Sequence, residues 1–204
     1  MSIKIIGITG PTGAGKSLLG EYLAEQGIPV IDADQVYHAL LIPPSACLDA
    51  LRRVFGAEIF HPGGELNRPA LAEIVFHDEE KLALLNRTVL DMVLDKIRRQ
   101  IRRIAKAGGT VVAVDAPTLI ESGFDRECTT VVSVLSPSEL RIERIMLRDS
   151  LNAERARTRV LAQRDDYFYR EHSDFILTNT GNREEFFKKA EEWAVAAGLP
   201  VSHS

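Results

Sequence analysis

With 204 residues, 45% of them hydrophobic and 26% charged, the chain has room for one globular domain carrying a small inserted lobe. A chain this long buries about 70% of the surface it exposes when unfolded, so it needs no disulfide or metal staple. Its formal net charge of −4 argues against a general nucleic-acid binder, whose phosphate contacts require a basic surface. The two cysteines, Cys47 and Cys128, lie far apart with no CxxC spacing and read as free thiols of a reducing compartment. The apolar start, Ile3-Lys4-Ile5-Ile6-Gly7-Ile8, is too short for a signal-peptide core, and no apolar run reaches the length of a membrane span. A cytoplasmic location is expected.

Residues 3–9 read as a buried strand, short, β-branched and almost wholly apolar. A glycine-rich loop follows, then a helix over 16–26 with Leu18, Leu19, Tyr22 and Leu23 at helical spacing and Gly27 as its stop. Residues 28–31 form a second apolar strand that runs into Asp32-Ala33-Asp34. Strand, helix and strand in this compass make a βαβ unit and hence a parallel sheet. Residues 35–106 are mostly helical in periodicity, broken at Pro43-Pro44 and at His61-Pro62-Gly63-Gly64. Strands return at 110–115, 129–135 and 174–179, with an arginine-rich helical stretch over 138–172 and an amphipathic helix over 183–197.

The fold expected is α/β: a five-stranded parallel sheet of the P-loop NTPase type, flanked by helices, with residues 35–106 as a helical lobe or the cover of the sheet and an arginine-rich segment that could close as a lid. The core would comprise 1–34, 107–137 and 173–204, the lobe about 35–106 and the lid about 138–172. An open parallel sheet binds ligands at the carboxyl ends of its strands. Those ends carry Gly10–Gly15, Asp32 and Asp34, Asp115, Ser136 and Asn179.

Gly10-Pro11-Thr12-Gly13-Ala14-Gly15-Lys16-Ser17 matches the phosphate-loop pattern Gly-x-x-x-x-Gly-Lys-Ser, between a predicted strand and a predicted helix. The glycines let successive backbone N–H groups point at phosphate oxygens, and the helix adds its positive dipole end. Lys16 is a point charge for the β- and γ-phosphates, and the Ser17 hydroxyl suits Mg²⁺. Asp32 and Asp34 share a face if the strand stays extended, and a carboxylate there can orient a hydroxyl and accept its proton. Asp34 could instead cap a helix. Asp115 closes the apolar strand Val111-Val112-Ala113-Val114, the shape of a strand whose Asp supports Mg²⁺. Arg141, Arg144 and Arg148 share a helix face, so one of Arg144 and Arg148 is expected to reach phosphate; a solvated face paired with Glu139, Glu143 and Asp149 is the plainer alternative. Arg98-Arg99 and Arg102-Arg103 read as a solvated face or an anchor for an anionic substrate. The five histidines show no metal-ligand spacing.

Taken together, these residues resemble the dephospho-CoA kinase family over nearly the whole chain. The resemblance runs through the phosphate loop, Val30-Ile31-Asp32-Ala33-Asp34, Phe55-Gly56, Leu66-Asn67-Arg68-Pro69-Ala70-Leu71 and Asp115-Ala116-Pro117 with Glu121. It continues through Arg148-Asp149 with Arg159 and Gln163, and through Asn179-Thr180-Gly181. Thr118 and Ile120 depart from the family's Leu and Phe, Leu18 stands where a Thr is common, and Arg87-Thr88-Val89 stands where the family shows His-Pro. The resemblance implies phosphorylation of the ribose 3′-hydroxyl of dephospho-CoA by Mg·ATP, with the helical middle as the CoA-binding, substrate-binding lobe and the arginine-rich stretch as the lid. Asp34 would be the general base with Asp32 supporting it and Asp115 also on the substrate side. Residues Gly10 to Leu18, with Arg144, would hold the nucleotide, Asn179 would lie near its adenine, and Arg148 would come from the lid. A small-molecule substrate is the expected partner, with no nucleic acid or membrane, in a monomer or weak homo-oligomer. A shikimate-kinase-like enzyme is the nearest alternative, but it needs a Gly-rich third-strand end where this chain has Val114-Asp115-Ala116-Pro117. A nucleotide-switch NTPase would need an NKxD or DxxG segment that the sequence lacks.

Overall fold

A computed structural model describes residues 3–76 and 78–200 of the chain. It divides into two compact units, one made of the chain up to Ile31 and again from Ile104 onward, the other of Asp32–Arg103.

The first unit is organised by a five-stranded parallel sheet. Its strands are β1 (Lys4–Thr9), β2 (Val30–Asp32), β3 (Val111–Asp115), β4 (Thr130–Leu135) and β5 (Phe175–Thr178), in the order β2-β3-β1-β4-β5. β1 is central, with Ile6 opposite Ala113 on one side and Thr130 on the other. Helices on both faces of a parallel sheet bury both sets of side chains, which is why these strands read as apolar runs and not as alternating patterns. Ile6, Ile8, Val112, Ala113, Val114, Val132 and Val134 are all buried. α1 (Lys16–Glu25) and α9 (Arg183–Ala196) supply Leu19, Leu23, Phe186, Ala190 and Trp193 to one core with Ile6, Ile8, Ala113, Val132 and Val134.

Two boundaries differ from the sequence expectation, each for a local reason. Gly27, in the left-handed region at φ 76, closes α1 with two backbone bonds, its own N–H to Ala24 O and that of Ile28 to Leu23 O, both 2.9 Å. Ile28 is therefore part of the helix stop, and β2 starts only at Val30. At its other end β2 stops at Asp32, and α2 (Ala33–Leu40) begins at once. Asp32 and Asp34 consequently do not share an extended segment. Asp32 is the cap, accepting from Gln35 N at 2.9 Å, while Asp34 lies in the first helical turn.

The second unit continues from α2 with α3 (Ala46–Phe55), α4 (Arg68–Phe76) and α5 (Glu79–Lys106). Cys47, Leu51 and Phe55 fall on one face of α3 and meet Ile59, Leu71 and Val75 in a core of their own.

In the first unit, the arginine-rich helical stretch consists of three helices, α6 (Ser138–Asp149), α7 (Ala153–Leu161) and α8 (Asp166–Glu171). Ser150 ends α6 in a left-handed conformation (φ 52), and Asn152 and Asp165 cap α7 and α8. Ile145, Ala156 and Val160 join α6 to α7. Both cysteines are free thiols. Burial, reinforced by Asp125, Glu127 and Asp174, pushes the Cys128 thiol up to about 12. Among the described residues no helix is long and apolar enough to cross a membrane.

Gly7, in the middle of β1, sits where the packing leaves no room for a side chain. A Cβ there would come within 2.6 Å of Leu119 Cδ2 and 2.8 Å of Cys128 Sγ. Gly7→Ala is expected to destabilise the protein by about 1–3 kcal/mol through overpacking, seen as a lower urea midpoint at unchanged m.

Candidate active site

β1 ends at Thr9 and the chain turns through the loop Gly10–Gly15 into α1. Two of the glycines are required. Gly10 (φ 132) lies directly against the Val134 carbonyl of β4, and Gly15 (φ 100) directly against the Asn179 side-chain amide; a Cβ would collide with either. Gly15 caps α1 without a side-chain acceptor, and no acidic residue stands in the first turn. The amide end of this helix is thus left to attract an anion.

The loop's carbonyl groups are held from behind. Asn179, at the end of β5 and only 1% exposed, donates from Nδ2 to Ala14 O at 2.9 Å. Arg144 on α6 reaches Gly13 O at 3.2 Å and Ser136 Oγ at 3.2 Å, with longer bonds to Ala14 O and to Asn179. Arg141, one turn earlier and 4% exposed, donates from Nε to Thr12 O at 2.9 Å. A trans peptide points its N–H opposite its C=O. Holding the Thr12 and Ala14 carbonyls therefore turns the N–H groups of Gly13 and Gly15 to the other side, where a phosphate would sit. Lys16 folds over the same loop, its Nζ 2.8 Å from Gly10 O and 3.5 Å from Pro11 O.

Ser17, the second residue of α1, is exposed, and Leu18 beside it packs on the sheet core. Asp115 closes β3 with its backbone in register with Ile8. Arg148 is exposed on the last turn of α6; it bonds Asp149 through Nε and Nη2 (2.8 and 3.0 Å) and approaches Thr12 Oγ1 at 3.4 Å. Asp149 also pairs with Arg159. These two guanidinium groups, Arg148 first, hold the Asp149 carboxyl below its ordinary range, and Asp149 in turn raises Arg148.

The loop, Lys16, Ser17, Asp115, Arg144, Arg148 and Asn179 all belong to the first unit. Asp32 and Asp34 begin the second; Asp32 is engaged by both the backbone and the side chain of Gln35, whereas Asp34 is exposed. Arg141 and Gln163 hold the loop too, yet sequence reading gave them no role of their own. Their only signals were the helical spacing of Arg141 with Arg144 and the position of Gln163 four residues after Arg159. Among the described residues no group of three or more His, Cys, Asp or Glu gathers as a metal cage.

A glycine loop between the central strand and a helix, with a lysine folded over it, is the arrangement of the P-loop nucleotide-binding proteins, to which many small-molecule kinases belong. Within that class, the family model for dephospho-CoA kinase matches residues 4–185. The chain is 35% identical to the dephospho-CoA kinase of Syntrophotalea carbinolica over 89% of its own length and 86% of that protein. The structure of TT1252 from Thermus thermophilus superposes with a TM-score of 0.81 at 30% identity, covering 97% of this chain and 98% of that one. Dephospho-CoA kinase from Campylobacter jejuni superposes with a TM-score of 0.68 at 26% identity, over 95% and 98%. The chain belongs to the dephospho-CoA kinase family. It is a kinase that uses ATP and phosphorylates dephospho-CoA, and the shikimate-kinase-like alternative is not favoured.

Asn179 offers a test of how the loop is held. Both polar atoms of its side chain are engaged inside the protein, so Asn179→Ala is expected to cost about 1–3 kcal/mol of stability with no nucleotide present. Urea unfolding without ATP measures this, and a residue serving adenine alone would leave that stability unchanged.

Proposed function

We propose that the chain transfers the γ-phosphoryl group of Mg·ATP in line to the ribose 3′-hydroxyl of dephospho-CoA, giving coenzyme A in the last step of its biosynthesis. The observation that carries the reading is the loop geometry, with its carbonyls held from behind and its amides turned outward, in a chain whose family match spans residues 4–185.

In this reading the loop residues Gly10 to Leu18 bind the triphosphate. Lys16 leaves the Gly10 carbonyl to meet the β- and γ-phosphates. Ser17, exposed at the start of α1, would hold Mg²⁺, with Asp115 supporting it at the end of β3. Few protein ligands fit that ion, which keeps several waters and takes phosphate oxygens for the rest. When bound, Mg²⁺ neutralises charge on the β- and γ-phosphates. Arg144 and Asn179 shape the loop from behind. Arg148, set by Asp149, offsets charge developing on the transferred group. Asp34 orients the acceptor hydroxyl and takes its proton, and Asp32, as the cap of α2, fixes the turn that carries it. The acceptor is a small molecule. The net charge of −4 suits an enzyme with no nucleic-acid partner. Its proposed setting is the cytoplasm, as a monomer or weak homo-oligomer.

The direct test is ADP release from Mg·ATP with dephospho-CoA, with shikimate, or with no acceptor. Stimulation by dephospho-CoA alone, with coenzyme A as product, is the expected result; stimulation by shikimate or by neither overturns the reading. For the base, Asp34→Asn should lower kcat on the order of 10²–10⁴-fold while ATP affinity stays within about twofold. Unchanged turnover would remove Asp34 from the role.

A further inference from the structure

Thr12 is the loop residue gripped on both sides. Its N–H donates to Gln163 Oε1 at 3.0 Å, and its carbonyl accepts from Arg141 Nε at 2.9 Å. The two holders are themselves joined, Arg141 Nη2 donating to the same Gln163 Oε1 at 2.6 Å. Two donors converge on one amide atom of Gln163, so that atom must be the oxygen and the orientation of the side chain follows. With the peptide planes before and after Thr12 both fixed, its φ and ψ are fixed as well. Gly13 comes next, at φ 76, its N–H among those turned toward the phosphate side.

Gln163 arrives at the loop from far along the chain. It lies just past the end of α7, 151 residues from Thr12, on a helix pair joined by Ile145, Ala156 and Val160. Arg141 is buried, and it holds the Thr12 carbonyl with no ligand bound.

We infer that Gln163, with Arg141, forms a clamp that sets the conformation of the phosphate loop before ATP binds. Gln163 is thus a positioning residue for the nucleotide. The inference rests on the loop being the ATP site, and it goes beyond the family's reaction by assigning what fixes that loop. Without the clamp, binding ATP must also order the backbone at Thr12. The nucleotide then binds more weakly, but once bound it restores the loop, so the chemical step is little changed.

The experiment combines calorimetry of Mg·ATP binding with steady-state kinetics for the wild-type protein, Gln163→Leu, Arg141→Lys and the double variant, each checked for folding by its Tm. Gln163→Leu should weaken both the ATP Kd and the ATP KM about tenfold, the size expected for ordering one residue's backbone. kcat at saturating ATP should stay within about twofold and the dephospho-CoA KM should not move. The double variant should bind ATP about as well as the weaker single one, because the two side chains act as one unit. ATP affinity at the wild-type level in Gln163→Leu overturns the clamp, as does a kcat loss at constant ATP KM, or full additivity in the double variant. If Arg141→Lys does not fold, Gln163→Leu alone decides. If the wild-type protein binds ATP but does not turn over dephospho-CoA, the acceptor assignment fails while calorimetry still judges the clamp.

Discussion

The arrangement on which the rest depends is the capture of loop carbonyls from the protein side. Arg141 takes Thr12 O, Arg144 takes Gly13 O and Asn179 takes Ala14 O. A glycine-rich loop left to itself samples many conformations, and glycine loses the most freedom on ordering. Three donors from two separate elements remove that freedom from behind. The amide face is then organised before any phosphate arrives, which is the general route to affinity without added contact area.

The same constraint explains why α6 carries arginines at the spacing it does. Arg141, Arg144 and Arg148 lie on one helix face, yet depth separates what they do. Arg141 is buried and meets the first part of the loop, Arg144 is half-buried and spans the loop and the end of β5, and Arg148 is exposed and tied to Asp149. Lysine could not replace the two inner ones in kind, because a single ammonium lacks the planar fork that lets Arg141 bond Thr12 and Gln163 at once. The outermost is the one whose charge is balanced by a neighbouring carboxylate at the surface.

Much of this was legible in the sequence. The five strands announce themselves as short apolar runs, because a parallel sheet covered on both faces tolerates little else, and the loop pattern carries its own chemistry. Asp32 and Asp34 show where local reading stops. Alternation along a strand predicts a shared face, but the strand stops at Asp32, two residues short of Asp34, and the capping role passes from Asp34 to Asp32. Element ends are decided by which competing hydrogen bond forms, here that of Gln35 N, and such bonds leave little trace in periodicity. Gln163 was less legible still. A glutamine after an exposed helix has no pattern of its own, and its meeting with Thr12 exists only once α6 and α7 are folded against the loop.

The whole chain is acidic, at −4, yet the hydrogen bonds of Arg141 and Arg144 run to neutral oxygens of the loop, Ser136, Gln163 and Asn179. Arg148 differs, since Asp149 balances it directly. Asp166 lies near enough to favour the charged form of Arg141, but burial outweighs it and lowers that pKa. An arginine stays protonated through such a shift, so two guanidinium charges remain behind the loop with neutral partners. In that partly buried setting they are screened far less than surface charges are. The local positive charge behind the loop therefore follows from where each arginine's partner comes from and not from the overall charge.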